Sequence, residues 1–380
     1  MSSHPLVPLR ELLTTAPDPQ RVDPDGEYPI AGVYGFGRGM IQRGAVAGRE
    51  IAATQLFRIR EGQFIYSRLK SFEGAYAIVS PEVDGYFVSN EFPTFDVDRE
   101  RLEPAYLDWY FKQATVWQQL ASDGKGIGAR RERLHPRRLL DHAIPLPSPG
   151  VQRRIIARLN GVAAQMTSLK ARSDAARSEI KSATRSAFYK IVANAPSRRM
   201  GDVAPLVRRS VEIEVSKTYT EIGVRSFYKG IFHRRTVTGA EFTWQKLFRI
   251  AEGDLVFSNL MAWEQAIALG SAKDDGCVGN HRMLTCEVDL TRCHPTFLWY
   301  YFTTPEGLAQ VVGASPGTIA RNKTLSAELL PNITVPLPSL DAQNWFNSLH
   351  TKAIGVDSDR ASVGLNLNRL IPALLHQIFG

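Results

Sequence analysis

The chain has 380 residues, of which 44% are hydrophobic and 22% charged, as in an ordinary soluble protein of two or three domains. It holds no apolar run of the ~18–20 residues that a membrane span needs, and its three cysteines cannot supply a disulfide framework, so a cytoplasmic protein is expected. The formal net charge of +8 favours a polyanionic partner.

The first part of the chain predicts a mixed module followed by a long helix. Alternating apolar residues over Gln63–Ser67 predict a strand, and the aromatic-rich segment Pro104–Leu120 predicts a helix. After the Pro-Leu-Pro-Ser of positions 145–148 the apolar spacing changes to heptads, which predict a coiled-coil helix of about 40 residues. Its seam is expected at Ile155, Leu159, Val162, Met166, Leu169 and Ile180.

The second part repeats this order. Asp254–Ser258 predicts a strand, a helix is expected from Pro295, and heptads follow the Pro-Leu-Pro-Ser of positions 336–339. This second seam is expected at Phe346, Leu349, Val356, Leu367, Leu370 and Leu374. Because Gly355, Gly364 and Pro372 weaken the helix, it is expected to need a partner helix in order to form.

An internal duplication underlies the repeat. A shift of 191 positions carries Leu56–Gly62 onto Leu247–Gly253 and Phe36 onto Phe227. The sequence therefore predicts an α+β protein with two tandem mixed α/β modules, residues 1–150 and 196–339, each followed by a long spacer helix, residues 151–195 and 340–380. If the first helix leads to the second module, the second helix can fold back along it as an antiparallel coiled coil.

Several segments resemble a known family. The boundaries Ile144–Gln152 and Val335–Gln343 have its proline-rich "P-x-P…Q" pattern, and Arg199–Val203 resembles the segment that opens its second domain. Phe72–Ala77 and Trp263–Ala268 match its aromatic-acidic-small pattern. Over its full length, the chain resembles the specificity subunit of Type I restriction–modification systems.

The resemblance implies a non-catalytic, DNA-binding subunit of a prokaryotic restriction system. Such a subunit recognises a bipartite double-stranded DNA target with its two target recognition domains. It also scaffolds two N6-adenine methyltransferase (modification) subunits, and motor-nuclease (restriction) subunits join the complex. No cofactor is expected on this chain, since S-adenosylmethionine, ATP and Mg²⁺ would be bound by the partners.

Two other functions stay open. The chain can be a two-module DNA-binding adaptor of another phage-defence system, which its gene neighbours would reveal. A DNA-modifying enzyme is disfavoured because no Asn-Pro-Pro-Tyr-like methylation motif is present. Glu179-Ile180-Lys181 has a nuclease-like spacing, but it lies on the predicted spacer helix without a paired acid.

Basic residues are the candidate DNA contacts. A glycine-bearing loop, residues 124–128, lets the backbone approach a ligand, and nearby cations would neutralise phosphates; the alternative is a solvated basic loop. The candidates around this loop and its second-copy equivalent are Lys125, Arg130, Arg131, Arg133, Arg321 and Lys323. Candidates near predicted strands are Arg38, Arg43, Lys70, Lys229, Arg234 and Arg235.

The first spacer helix is also basic, with nine Lys or Arg against two acidic residues between positions 151 and 195. This face can contact DNA, meet an acidic methyltransferase surface, or simply be solvated. Cys277, His281, Cys286, Cys293 and His294 lack the tight spacing of a zinc site, so no metal is expected. Trp109, Tyr110, Trp299 and Tyr300 are expected in the module cores rather than stacked on bases.

Overall fold

The structure is a computed structural model that describes residues 4–122, 133–242, 246–317 and 323–380. The chain divides into two compact units: unit 1 comprises Met1–Ser173 with Ala361–Gly380, and unit 2 comprises Asp174–Arg360. Each unit therefore holds one module together with parts of both long helices. Within the described residues, no helix is both long and apolar enough to cross a bilayer.

Unit 1 begins with short strands and ends its module with short helices. Its strands are β1 (Leu6–Pro8), β2 (Leu13–Thr15), β3 (Pro19–Arg21), β4 (Glu27–Val33), β5 (Met40–Ala47), β6 (Gln55–Arg58), β7 (Phe64–Tyr66), β8 (Tyr76–Ile78), β9 (Phe87–Val88), β10 (Thr94–Val97) and β11 (Ala143–Pro145). Its helices are α1 (Pro104–Tyr110), α2 (Ala114–Ser122) and α3 (Pro136–Asp141), and the long α4 (Pro149–Val192) follows.

Unit 2 repeats the order of strands after α4, but the first of its short helices follows its first strand. Its strands are β12 (Ser197–Arg199), β13 (Leu206–Val207), β14 (Ser210–Val211), β15 (Thr218–Val224), β16 (Ile231–Thr238), β17 (Leu247–Arg249), β18 (Leu255–Ser258), β19 (Ile267–Leu269), β20 (Val278–Asn280), β21 (Met283–Cys286) and β22 (Thr334–Pro336). Its helices are α5 (Met200–Val203), α6 (Pro295–Thr303) and α7 (Pro305–Gly313), and α8 (Leu340–Phe379) follows.

The sheets of the two units have the same topology. Unit 1 contains the strand orders β1-β11, β2-β10-β7-β8 and β3-β6-β9-β4-β5. Unit 2 contains β12-β22, β13-β21-β18-β19 and β14-β17-β20-β15-β16. The duplicated sequence therefore folds twice into one mixed α/β architecture, which confirms the predicted fold class.

Aromatic side chains fill the core of each module. In unit 1, Phe64, Tyr76 and Phe111 pack together with ring centroids 4.6–6.3 Å apart. Trp109 and Tyr110 of α1 belong to this core, and Trp299 and Tyr300 of α6 pack against the core of unit 2. The single helix predicted over Pro104–Leu120 is divided into α1 and α2, and its aromatic residues lie in the core of the module.

A buried glutamine joins the start of each long helix to its module. Gln152 donates its amide to the carbonyl oxygens of Arg101 and Pro147, both at 2.8 Å, and accepts the backbone N–H of Glu103 at 2.8 Å. In unit 2, Gln343 makes the same three contacts with Arg292, Pro338 and His294 at 2.8–3.2 Å. Both glutamines are fully buried, so these three bonds satisfy amides that water cannot reach.

The long helices pack together in both units, and in unit 2 two contacts show that they run antiparallel. In unit 2, Phe188 of α4 packs against Phe346 of α8 with ring centroids 5.2 Å apart. Nearer the start of α4, Arg177 forms an ion pair with Asp357, further along α8, at 2.9 Å. In unit 1, Leu159 of α4 and Leu375 of α8 share the core of the module. The expected coiled coil is therefore present as an antiparallel helix pair.

The buried seam differs from the predicted one at particular positions. Leu159 and Phe346 are fully buried. Leu169, Val356 and Leu370, however, are 48%, 40% and 41% exposed, so the expectation of a continuous apolar seam is wrong at these three. On α4 the residues next to Leu169, including Lys170, are exposed as well. The nearest partly buried residues on either side are Met166 and Ser173. The remaining predicted seam residues are partly buried: Ile155, Val162, Met166, Ile180, Leu349, Leu367 and Leu374.

Along α8 one row of the heptad is displaced by one residue. His350, Asp357 and Ile371 are turned further inward than Leu349, Val356 and Leu370, the residues that the apolar pattern selects. Each of the two polar residues has its own partner: His350 stacks on Phe346, with ring centroids 5.9 Å apart, and Asp357 forms an ion pair with Arg177. The helix therefore packs on the predicted side, rotated slightly toward polar residues that have partners.

Candidate nucleic-acid interface

In each unit, a β-hairpin at the edge of the five-stranded sheet carries the most distinctive surface feature. In unit 1, β4 and β5 pair antiparallel from Glu27↔Ala47 to Val33↔Met40. The chain reverses over residues 34–39, here called the tip, and the Tyr34 N–H donates to the Gly39 carbonyl oxygen at 2.9 Å. At this tip Phe36 has a φ of 62° and Gly37 a φ of 63°, which bulky residues disfavour.

A neighbouring turn holds this tip in place. The N–H of Phe36 donates to the Glu73 carbonyl oxygen at 2.6 Å, and the N–H of Gly37 donates to Gly74 at 3.0 Å. A Cβ on Gly37 would lie 2.8 Å from Cγ of Lys112, so this position requires glycine. The ring of Phe36 touches Trp117 edge-to-face at 6.3 Å yet remains 64% exposed.

Unit 2 repeats this tip at residues 225–230. Phe227 has a φ of 61°, is 63% exposed, and donates its N–H to the Glu264 carbonyl oxygen at 3.1 Å. Tyr228 replaces Gly37 with a φ of 55°, and its N–H donates to Gln265 at 2.9 Å. Its hydroxyl donates to the Phe302 carbonyl oxygen at 2.7 Å, and burial raises the pKa of Tyr228 to about 12.

A cation lies over the exposed aromatic of each tip. The guanidinium of Arg38 is 4.7 Å from the ring centroid of Tyr34 and 5.9 Å from that of Phe36, and its Nε–H donates to Gly35 at 3.0 Å. In unit 2 the Nζ of Lys229 is 5.6 Å from the centroid of Phe227. Each tip thus presents an apolar ring and a positive charge side by side.

Two other candidates of unit 1 lie beside this tip. Arg43 is on β5, and Lys70 precedes the turn that holds the tip; both side chains are exposed. Within the described residues, no acidic partner lies within ion-pair distance of Arg38, Arg43, Lys70 or Lys229. These four charges are therefore available to a phosphate backbone.

Arg234 and Arg235 of β16 have an internal partner instead. The Nε of Arg235 is 2.8 Å from Oε2 of Glu221, and Arg234 lies 3.7 Å from the other oxygen. Glu221 is only 2% exposed, so it needs this positive charge to be buried. Arg235 in particular helps to stabilise the hairpin, which leaves less of its charge for a ligand.

Of the basic candidates around the predicted loop and its second-copy equivalent, the structure describes two. Arg133 pairs with Glu91 at 3.0 Å, and the Nζ of Lys323 lies 5.7 Å from the ring centroid of Trp263. Lys125, Arg130, Arg131 and Arg321 lie outside the described residues.

The basic face of α4 is exposed. All nine of its Lys and Arg residues between positions 151 and 195 have exposed side chains. Arg153 pairs with Glu103 at 3.0 Å and Arg177 with Asp357 at 2.9 Å. The other seven have no acidic partner within ion-pair distance among the described residues, so most of this charge faces outward.

The cysteines and histidines form no cluster suited to a metal among the described residues. Burial raises the pKa of the Cys286 and Cys293 thiols to about 12, so both stay protonated at neutral pH. His294 instead begins α6, where its Nδ1 accepts the backbone N–H of Thr296 at 3.2 Å. These residues have structural roles in the module.

The aromatic tips were not among the residues selected from the sequence. Their signal was present, since Phe36 aligns with Phe227 and follows the glycine-rich Tyr34-Gly35-Phe36-Gly37-Arg38-Gly39. An aromatic residue in a glycine-rich turn is unusual because such turns normally take glycine, asparagine or aspartate.

Among known proteins, this chain is similar to solved structures only. No model of a protein family and no curated protein matches the sequence. The HsdS subunit from Thermoanaerobacter tengcongensis is similar in structure, with a TM-score of 0.63 and 17% identity over 99% of this chain and 96% of that one. A chain from a structure describing complex assembly and conformational transition of the type I R-M system has a TM-score of 0.70 and 17% identity, over 100% of this chain and 99% of that one. The protein therefore has the fold of the specificity subunits of Type I restriction–modification systems.

Proposed function

We propose that this chain is the DNA-reading specificity subunit of a Type I restriction–modification complex. Each unit would recognise one half of a bipartite target, and partner subunits would carry out adenine methylation and DNA cleavage. The chain's own contribution is then binding free energy and placement, without a catalytic step, in the cytoplasm of a prokaryote.

The observation that carries this proposal is the repeated hairpin tip. Two units of the same topology both present an exposed aromatic ring beside a cation that has no acidic partner among the described residues. Cations neutralise phosphates and give affinity for any duplex, whereas contacts to base edges give specificity. Two such surfaces on one chain suit a target with two separate halves.

The outward basic face of α4 supports contact with an acidic partner surface. Methyltransferase subunits are the partners that the fold suggests, and DNA passing along the helices would meet the same charges. An adaptor of a different defence system would have similar surfaces, but its DNA would not carry a methylation pattern that depends on this chain.

Mapping of N6-methyladenine tests the proposal. The map is compared between cells with and without the gene for this chain, with the partner genes left intact. We expect a split motif that disappears when the gene is removed and returns with a plasmid copy. A methylation map that does not change would contradict the proposed role.

A further inference from the structure

Each unit keeps a phenylalanine at a backbone position that disfavours it. Phe36 and Phe227 have φ values of 62° and 61°, and the residues after them also have positive φ. Two consecutive positive φ values are the requirement of a type I′ turn, which Asn-Gly satisfies without strain. The fold alone would therefore favour a different residue at both positions.

Packing does not explain the choice either. Both rings are more than 60% exposed, so neither gains much from burial in its own module. The next turn adds another apolar side chain in both units, since Leu69 and Leu260 are equivalent and are 41% and 38% exposed. Exposed apolar groups that recur at one place on a surface indicate an interaction site.

The two copies have otherwise diverged on their surfaces. Nine basic residues lie on the first spacer helix between positions 151 and 195, against three on the second between 340 and 380. The tips nevertheless retain the ring, its φ, its bond to the adjacent turn and a cation two residues later. Because the tips are alike while the other surfaces have diverged, we infer that the two tips perform the same task.

The chemistry of the tip fits duplex DNA better than an apolar protein pocket. A pocket that enclosed the ring would also have to desolvate the cation beside it, which is costly without an acidic partner. DNA offers stacked bases to the ring and a phosphate to the cation at short separation, and apolar wedges at base steps are a known way to bind and kink a duplex.

We propose that Phe36 and Phe227 each insert at a base step of the half-site that their unit reads, while Arg38 and Lys229 contact the adjacent phosphates. The proposal deepens the DNA-reading function above and rests on it. The bonds to Glu73 and Glu264 hold each tip in its binding conformation before DNA arrives, which reduces the entropy lost on binding.

The test uses the full chain co-expressed with its proposed methyltransferase partner. The probes are a duplex that carries the mapped methylation motif and a scrambled duplex of equal length. The variants are Phe36→Gly and Phe227→Gly, because glycine adopts the positive φ without strain and the units should fold at least as well. We expect each variant to bind the motif duplex about tenfold or more weakly, and to melt about 2–4 °C higher.

Matched controls distinguish insertion of the ring from the loss of any exposed apolar side chain and from the loss of a positive charge. Leu6→Ala and Leu290→Ala remove side chains that are 68% and 69% exposed elsewhere in units 1 and 2, and should leave the affinity unchanged. Arg38→Gln and Lys229→Gln should each lower the slope of log affinity against log salt by about one, whereas the glycine variants should keep the wild-type slope.

Three results would overturn the inference. Glycine variants that bind the motif duplex as tightly as the wild type would show that the rings do not contact DNA. Loss of the co-purified methyltransferase with DNA affinity unchanged would identify the tips as a protein contact. A wild-type complex that does not distinguish the motif from the scrambled duplex would overturn the proposed function itself, and this inference with it.

Discussion

The side-chain oxygen of Gln152 accepts the backbone N–H of Glu103 at 2.8 Å, and thereby ties the first turn of α4 to the start of α1. The amide group of the same side chain binds two carbonyl oxygens, so one buried residue satisfies three backbone groups. Gln343 repeats the arrangement with His294 in unit 2. The glutamine that closes the proline-rich boundary is thus a structural joint between module and helix.

Replacing Gln152 should destabilise unit 1 strongly. In Gln152→Ala the N–H of Glu103 and the carbonyl oxygens of Arg101 and Pro147 lose their partner inside the protein, at a cost of about 2–4 kcal/mol in the free energy of unfolding. Urea unfolding measures the loss, and hydrogen exchange of peptides from each unit shows where it falls. Gln165→Ala, an exposed change on the same helix, is the control and should stay within about 0.5 kcal/mol of the wild type. Equal effects of the two substitutions would contradict the role given to Gln152.

A fragment of residues 1–195 should form a dimer. Phe188 and Phe379 are equivalent in the duplication: Phe188 packs against Phe297 at 5.3 Å in unit 2, and Phe379 against Tyr106 at 5.2 Å in unit 1. Without α8, the place of Phe379 in unit 1 is open, and Phe188 of a second fragment can occupy it. Light scattering at micromolar concentration should show a dimer that reads a palindromic form of the first half-site.

The matched variant for this fragment is Phe188→Ala, which should return it to a monomer. The same substitution in the full chain should instead destabilise unit 2, by about 3–5 kcal/mol for a buried phenylalanine. A wild-type fragment that stays strictly monomeric would count against this equivalence.

Stability should fall in mild acid because of buried histidines. Burial lowers the pKa of His350 below its ordinary value of 6.5, and its Nδ1 has no hydrogen-bond partner. Burial lowers the pKa values of His142 and His294 in the same way. Below pH 6.5 the unfolded chain therefore binds protons that these histidines do not bind in the folded chain, so their contribution lowers the free energy of unfolding as the pH falls and is constant above that range.

Urea unfolding at pH 8, 6.5, 6 and 5.5 measures this slope. Each such histidine contributes at most about 1.4 kcal/mol per pH unit. His350→Leu should make the dependence of the free energy of unfolding on pH less steep, while His142 and His294 still make it decrease in acid. A variant with the wild-type slope would show that His350 does not remain neutral in the folded chain.

The duplication and the helix pair could be predicted from the sequence, but the exact seam could not. The apolar pattern selects Leu349 and Val356, whereas His350 and Asp357 turn inward. Each is accommodated by a specific contact, with Phe346 and with Arg177, and hydrophobic spacing contains no information about such partners. Tertiary pairing therefore decided which row of the heptad is buried.

The candidate interface could be predicted in part. The charges of Arg38 and Lys229 were selected, but the exposed rings beside them were not, because the φ of Phe36 depends on a bond to Glu73, distant in sequence. Arg235 was selected for its charge alone. Its neutralisation follows from the hairpin register, which places Glu221 directly opposite on β15. A contact that depends on register becomes visible only once the strands are paired.

The central claim is that each unit reads its own half of a split target. A hybrid chain tests it most directly: residues 1–150 are replaced by the first module of another specificity subunit with a known target, and N6-methyladenine is mapped in cells that carry the partner genes. The account predicts a motif in which one half is exchanged and the other half is identical to that of the wild type. A motif that changes in both halves, or in neither while methylation continues, would contradict it.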